Sequence, residues 1–179
     1  GKSRSVGAPK SGTELNARTI LGAADITYDD LGRAEYLPFG ESVELMKNRQ
    51  LDATLQSAGL GVASIRDLST SIPIQMVEVP SDVIEAIGAP YQSGTIPAGT
   101  YEGQDSDVNT AAITNILVTS SDLDEETVYL MTKSLFENLD AMVAAHAAAQ
   151  MIKLDTATQG LPIPLHPGAE RYYKEAGIL

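Results

Sequence analysis

Ser11, Gly12 and Thr13 are residue types that can hold a small anion, and they stand where a helix is expected to begin. They follow a Gly-Ala-Pro turn and precede apolar residues at near-helical spacing, which predicts an amphipathic helix. The first N–H groups of a helix have no partner inside it and lie at the positive end of its dipole. Gly12 would let a ligand approach these groups, and the hydroxyls of Ser11 and Thr13 lie beside them. The stretch is therefore a candidate site for a carboxylate or phosphate.

The same residues also fit an ordinary helix start. Ser11 as the N-cap, with Glu14 three residues later, has the pattern of a capping box. From the local pattern alone, both interpretations stay open. A nucleotide-triphosphate loop is excluded, because Gly7 and Gly12 have the Walker A spacing but Thr13 occupies the position of the phosphate-binding Lys.

Composition limits the possible partners of the chain. The 179 residues carry a net charge of −12, which argues against non-specific nucleic-acid binding and against docking on an anionic membrane. The sequence has no cysteine, which removes disulfides and thiolate metal sites. No apolar run approaches the roughly 18 residues of a membrane span, so no membrane insertion is expected. The chain starts without Met, almost directly on a predicted strand, and we expect it to be a piece of a larger protein.

Short strands alternating with helices up to residue 87 predict an α/β unit with a mainly parallel sheet. Ligands on such sheets bind at the carboxyl ends of the strands. Three loops rich in small residues follow predicted strands there, at residues 7–12, 39–40 and 57–61. In this half we expect strands over residues 35–39, 52–56 and 74–79, and a short helix capped by Ser81.

The rest of the chain is expected to be mostly helical. Gly, Pro, Ser and Thr punctuate residues 88–109, which we interpret as a crossing between two lobes. A β-type run over residues 110–119 precedes a capping box of Asp122 and Glu125. One long helix is predicted over residues 125–150, with an apolar stripe, and a last helix over residues 169–176.

Motifs for catalysis or metal binding are missing from the sequence. His146 is predicted within a helix and His166 in a Pro-Gly turn, and neither has a second ligand three or four residues away. No Gly-x-Ser-x-Gly elbow and no coherent acid/base set is found. We therefore expect no enzyme activity, no metal and no cofactor.

With these residues in hand, the chain resembles the second half of a TAXI-family substrate-binding protein, the extracytoplasmic receptor of a tripartite ATP-independent periplasmic (TRAP) transporter. The matching stretches span nearly the whole chain in the order found in the family. They lie at residues 6–18, 37–43, 50–53, 96–101, 133–138 and 163–169.

The resemblance implies a periplasmic-binding-protein-like fold of type II that closes over a small carboxylate or an amino acid such as glutamate. It also implies a periplasmic or extracytoplasmic location and delivery of the ligand to a TRAP membrane permease. Residues 1–104 would form the second α/β lobe, complete, and residues 105–179 a crossover strand and the C-terminal helical part of the first lobe. The N-terminal part of the family is absent from this sequence. We therefore expect the chain either to associate with another copy or with its missing half, or to have a disordered second lobe, and to bind the native solute very weakly or not at all.

The expected ligand site has two sides. The resemblance favours ligand binding over a plain cap for Ser11, Gly12 and Thr13, joined by Asn16. The loop at Ser57, Ala58 and Gly59 would contribute backbone groups from the opposite rim. Tyr101 is expected near the lobe crossing, and a packed linker aromatic is the open alternative for it.

Two other classes of protein remain open. A non-catalytic surface or antigenic α/β domain would have no transport ligand. An enzyme on the same fold would need an acid/base or metal set in the cleft.

Overall fold

The computed structural model describes residues 2–179, and the chain divides into two compact units. Unit 1 contains the described residues up to Ile113, and unit 2 is Thr114–Leu179. The segment 88–109, expected to cross between lobes, lies inside unit 1. The assignment of residues 1–104 and 105–179 to two lobes stays a prediction.

Unit 1 is built on a parallel sheet with the strand order β2-β1-β3. The strands are β1 (Ser3–Ser5), β2 (Arg33–Glu35) and β3 (Ala53–Thr54). Helix α1 (Gly12–Ala23) connects β1 to β2, and α2 (Phe39–Lys47) connects β2 to β3. Because all three strands are parallel, the loops that follow them meet at one edge of the sheet. This confirms the predicted α/β class, and it is consistent with a periplasmic-binding-protein-like architecture.

The remainder of unit 1 adds two helices and a second sheet. Helix α3 (Ala63–Ser71) follows β3, and α4 (Ser81–Ile87) leads into β4 (Tyr91–Ile96). Strand β4 pairs antiparallel with β5 (Val108–Ile113), with Tyr91 opposite Ile113.

The core of unit 1 consists of small and branched side chains from every layer. Ala17 of α1, Val43 of α2, Leu68 of α3 and Ile84 of α4 are almost fully buried, as is Val6 at the end of β1. Burying each of the larger ones stabilises the fold by about 1.5–3 kcal/mol.

A polar contact and a glycine set the distances between β1 and its neighbouring helices. The Ser42 hydroxyl of α2 donates to the Ser5 hydroxyl of β1 at 2.7 Å, so both buried groups are satisfied. Gly7 has φ +98°, and a Cβ there would lie 2.7 Å from Cγ2 of Thr13. Only glycine therefore lets the turn after β1 pack against the first turn of α1.

Unit 2 is helical. It contains α5 (Glu125–Glu137), α6 (Leu139–Ala145) and α7 (Pro167–Glu175), with 3₁₀ turns at Ala147–Met151 and Leu154–Thr156. Helices α5 and α7 cross closely at Gly168. A Cβ on Gly168 would collide with the carbonyl oxygen of Glu125 and lie 2.6 Å from the backbone nitrogen of Tyr129.

The single helix predicted over residues 125–150 is wrong, because the chain leaves helical geometry twice. Asn138 has φ −123° and ends α5. Its side-chain amide donates to the carbonyl oxygen of Ser134, so it competes with the helical backbone. His146 has φ −153°, and its ring Nδ1 accepts from the N–H of Ala148. The apolar stripe predicted one continuous helix, because the spacing of hydrophobic residues carries no information about such local side-chain hydrogen bonds.

Other element boundaries also differ from the predictions. The strand expected at 35–39 ends at Glu35, the one at 52–56 is confined to Ala53–Thr54, and residues 74–79 form no strand. The β-type run 110–119 is paired only up to Ile113. Pro80 rather than Ser81 is the N-cap of α4, and Asp124 rather than Asp122 caps α5 by accepting from the N–H of Thr127. The last helix begins at Pro167, because the ring of His166 accepts from the N–H of Gly168.

Candidate functional site

The first turn of α1 has both free donors and a cap. Ser11 is the N-cap, and its hydroxyl oxygen accepts from the N–H of Glu14 at 3.1 Å. The N–H groups of Gly12 and Thr13 have no hydrogen-bond partner among residues 2–179. A Cβ on Gly12 would meet nothing within 4 Å, so the space beside it is open. The predicted cap is therefore confirmed, and the cap leaves two backbone donors available to a ligand.

Glu14 does not complete the capping box. Its carboxylate accepts from Arg18 at 2.6 Å and from the Tyr28 hydroxyl at 3.2 Å instead. The hydrogen bond from Arg18 holds the pKa of Glu14 below its usual value, although burial opposes this shift. Burial, and then the charge of Glu14, raise the pKa of Tyr28 to about 12. The negative charge nearest the α1 N-terminus is thus already paired with a guanidinium.

Asn16 joins α1 to the loop after β3. Its side-chain Nδ2 donates to the Ser57 hydroxyl oxygen at 2.8 Å, and its Oδ1 accepts from the Tyr91 hydroxyl at 2.7 Å. Asn16 is buried, whereas Ser57 is exposed. The structure therefore brings together the two stretches that the sequence placed on opposite sides of the ligand site.

Tyr101 holds the far end of the same loop. Its hydroxyl oxygen accepts from the N–H of Gly61 at 3.2 Å. The ring is 7% exposed, so Tyr101 is a packed aromatic that also fixes residues 57–61. Ala58 and Gly59, between the two fixed ends, are exposed.

Two buried polar atoms near the end of β3 have no partner among the described residues. They are the Thr54 hydroxyl oxygen and Nε2 of Gln56, whose Oε1 accepts from the Ser64 hydroxyl. An unsatisfied buried donor or acceptor costs about 1–3 kcal/mol. The carboxyl end of β3 therefore has two buried polar atoms that form no hydrogen bond with any of the residues 2–179.

Two surface depressions of unit 1, of 160 and 410 Å³, lie elsewhere. Both are lined by residues 101–105, and of the eight predicted ligand residues only Tyr101 lines them. Their shape gives no support to the α1 site. The free backbone donors belong to α1, whose residues line neither depression.

Both histidines have structural roles in unit 2. Nδ1 of His166 accepts from the N–H of Gly168, so Nε2 carries the proton and donates to the carbonyl oxygen of Leu123 at 3.0 Å. His146 caps a 3₁₀ turn. Across residues 2–179, no group of three or more His, Cys, Asp or Glu side chains is arranged to hold a metal ion.

Tyr91 is the site residue that sequence reasoning missed. The sequence indicated only a turn around Ala89 and Pro90. Tyr91 and Asn16 are 75 residues apart, and no spacing rule connects them.

The mixed α/β structure, with the parallel sheet of unit 1, is consistent with a fragment of a periplasmic-binding-protein-like fold. A family model described as the NMT1-like family matches residues 1–177. The chain therefore belongs to the NMT1-like family, a periplasmic solute-binding family related to the receptors of TRAP and ABC transporters. Members of this family are typically extracytoplasmic and generally non-catalytic. Among residues 2–179, no helix has the length and apolar character needed to cross a membrane.

Proposed function

We propose that this chain belongs to an extracytoplasmic solute receptor of a TRAP transporter, of the TAXI type. The receptor binds a small carboxylate or an amino acid such as glutamate between two lobes and delivers it to the membrane permease. Membership of a periplasmic solute-binding family supports the receptor role. The motif resemblance of the sequence supports the TAXI assignment and the TRAP permease as partner.

The observation that carries the proposal is the pair of unpartnered N–H groups of Gly12 and Thr13. They stand at the positive end of α1, with open space beside Gly12, and Ser57 is hydrogen-bonded to Asn16 one turn further along the same helix. A carboxylate accepts hydrogen bonds only, so it suits a group of neutral donors at a helix N-terminus. The overall charge of −12 does not prevent this, because binding depends on the local field of the donors.

The second side of the site is the loop of residues 57–61. Ser57 supplies a hydroxyl, and Ala58 and Gly59 supply exposed backbone groups. Tyr101 contributes indirectly, because its hydroxyl oxygen accepts from the N–H of Gly61 and fixes the backbone at that end of the loop. In this proposal Ser11 orients the first turn of α1 as its cap, and Asn16 sets the distance between the two sides.

A thermal-shift panel of dicarboxylates and amino acids, on the full-length protein, tests the ligand class. A ligand at about 100 times its Kd stabilises the protein by about 2.7 kcal/mol, which is a clear shift. Ligand-specific stabilisation supports the receptor. Turnover of a panel compound would indicate an enzyme instead. If no compound raises the melting temperature, a surface domain without a transport ligand is favoured.

A substitution in α1 then tests the residues. Thr13→Val keeps the shape that packs on Gly7 and removes the hydroxyl. The loss of a charge-assisted hydrogen bond should weaken binding by about 1.5–3 kcal/mol in calorimetry. Thr19→Val is the matched control, because the Thr19 hydroxyl bonds only the Leu15 carbonyl oxygen in the same helix. Unchanged affinity in Thr13→Val would exclude the Thr13 hydroxyl as a ligand contact, whereas the backbone N–H, which valine keeps, is not removed by this variant.

A further inference from the structure

We propose that Tyr91 is a positioning residue that sets which chemical group the ligand site selects. It does so through Asn16, whose side-chain amide makes Ser57 a hydrogen-bond donor toward the ligand. The inference rests on the proposed function, since it concerns the same site, but it assigns a role to a residue that neither the motifs nor the family match mark.

The hydrogen bonds from Tyr91 to Ser57 run in one direction. The Tyr91 hydroxyl donates to Asn16 Oδ1 at 2.7 Å, and Asn16 Nδ2 donates to Ser57 Oγ at 2.8 Å. The oxygen end of a carboxamide only accepts and its nitrogen end only donates. The structure orients the Asn16 amide with its oxygen toward the Tyr91 hydroxyl and its nitrogen toward Ser57.

This direction leaves Ser57 with a free proton. Its oxygen already accepts from Asn16, and its hydroxyl donates to no group among residues 2–179. The side chain is exposed, so the proton is available to a bound molecule. Together with the N–H groups of Gly12 and Thr13, Ser57 makes a site of donors that selects a carboxylate over the isosteric amide.

The position of Tyr91 is well determined by its surroundings. It is the first residue of β4, its N–H donates to the Gly88 carbonyl oxygen, and it stands opposite Ile113 in the β4–β5 pair. At the other end of the 57–61 loop, the Tyr101 hydroxyl accepts from Gly61. The loop is therefore held at Ser57 by Asn16, which Tyr91 bonds in turn, and at Gly61 by Tyr101.

The test compares L-glutamate with L-glutamine, which differ only by a carboxylate and an amide, by NMR titration of the amide resonances of the full-length protein. We expect the wild type to prefer glutamate, and Tyr91→Phe to reduce this preference about tenfold, as the loss of one oriented hydrogen bond predicts. Tyr172→Phe is the control, because it removes a tyrosine hydroxyl in unit 2 and should leave the preference unchanged. If Tyr91 only stabilises the fold, Tyr91→Phe lowers the melting temperature and leaves the preference intact, which overturns the inference.

A double-mutant cycle shows whether Tyr91 acts through Ser57. Ser57→Ala removes an exposed hydroxyl and should reduce the preference as much as Tyr91→Phe does. The double variant should lose no more than Ser57→Ala alone, whereas additive losses would contradict the inference. A wild-type preference for glutamine would mean that the amide of Asn16 faces the other way, and it would overturn the inference while the receptor stands. If neither probe shifts the resonances of residues 11–16, the ligand site itself is wrong, and the proposed function fails with it.

Discussion

The two units of this chain differ in how much of their apolar surface they bury. Unit 1 has three large hydrophobic side chains that are exposed, namely Leu15, Tyr36 and Val77. Unit 2 is the shorter unit and has eight. They are Ile116, Leu117, Val118, Leu130, Met131, Met151, Ile163 and Leu179. Of these eight, only Leu130 and Met131 lie on an α-helix, so most of the exposed apolar surface of unit 2 belongs to its connecting segments, above all to residues 116–118 after β5.

The two units also differ in how far their polar groups are paired within the protein. In unit 1, donors and hydroxyls converge at one sheet edge around Asn16, and two of the donors are unpartnered backbone groups. In unit 2, side chains on α5 and α7 pair with one another. Arg171 stacks on the Tyr129 ring at 3.8 Å and contacts the carboxylates of Glu125, Glu126 and Glu175. Unit 1 therefore carries the proposed ligand site, and we expect the exposed apolar side chains of unit 2 to contact a partner.

The largest effect is expected at the α5–α7 crossing. Gly168→Ala places a methyl group against the backbone of α5, and overpacking of this kind costs about 1–3 kcal/mol, or more where backbone must move. Hydrogen exchange should rise in Thr114–Leu179 and stay unchanged in unit 1. Gly22→Ala is the control, because its Cβ would meet nothing within 4 Å. Equal loss of protection in both units would show that they do not fold as separate units.

The next prediction concerns the exposed surface of unit 2. We expect the chain to self-associate, and Leu117→Asp to weaken the association by about tenfold to a hundredfold, since burial of one leucine contributes about 1.5–3 kcal/mol. Val77→Asp is the matched control, because Val77 is 81% exposed in unit 1 and Leu117 is 76% exposed in unit 2. Light scattering measures both variants. If the wild-type chain is monomeric at high concentration, the exposed apolar side chains of unit 2 do not form an interface, and the prediction is wrong.

The smallest effect is a difference in acid sensitivity. Hydrogen bonds from the backbone N–H of Ser3, from Lys2 and from the Ser3 hydroxyl lower the pKa of Asp52 to about 2. A lowered pKa stabilises the fold above the unfolded value near 4, and this contribution is lost as the pH falls toward 2. Asp52→Asn should therefore flatten the fall in stability of unit 1 between about pH 4 and pH 2. Urea unfolding, followed by amide resonances from each unit, measures this.

Asp124 provides the corresponding test in unit 2. Its pKa is also lowered, by hydrogen bonds from the hydroxyl and the N–H of Thr127. Because Asn caps helices about as well as Asp, Asp124→Asn should keep the stability of unit 2 at neutral pH and reduce only its acid dependence. An acid response of unit 1 to this variant would contradict the assignment of each carboxylate to its own unit.

Much of unit 1 could be predicted from the sequence. The cap at Ser11 and the loop at 57–61 are where the sequence placed them, and strands and helices alternate as expected, although the strand bounds differ and residues 39–40, predicted as a loop, begin α2. The prediction was poorest where a residue's neighbours in the sequence were not its partners in space. The strand expected at 74–79 does not form, and the pairing of β5 ends at Ile113, because strands need a partner that local propensity does not supply.

By itself, the sequence determined the features that depend on a few adjacent residues. A serine before a helical pattern caps it, and glycine at a positive φ allows the turn at residue 7, because both effects act within one turn of chain. Only the tertiary structure decided which polar side chains meet. Asn16 bonds Ser57 and Tyr91 across separations of 41 and 75 residues, and the packing of α1, α4 and β4 brings these groups within hydrogen-bonding distance. Hydrogen bonds have a short range and a fixed direction, so the hydrogen bonds of Asn16 to Ser57 and Tyr91 form only once that packing is complete.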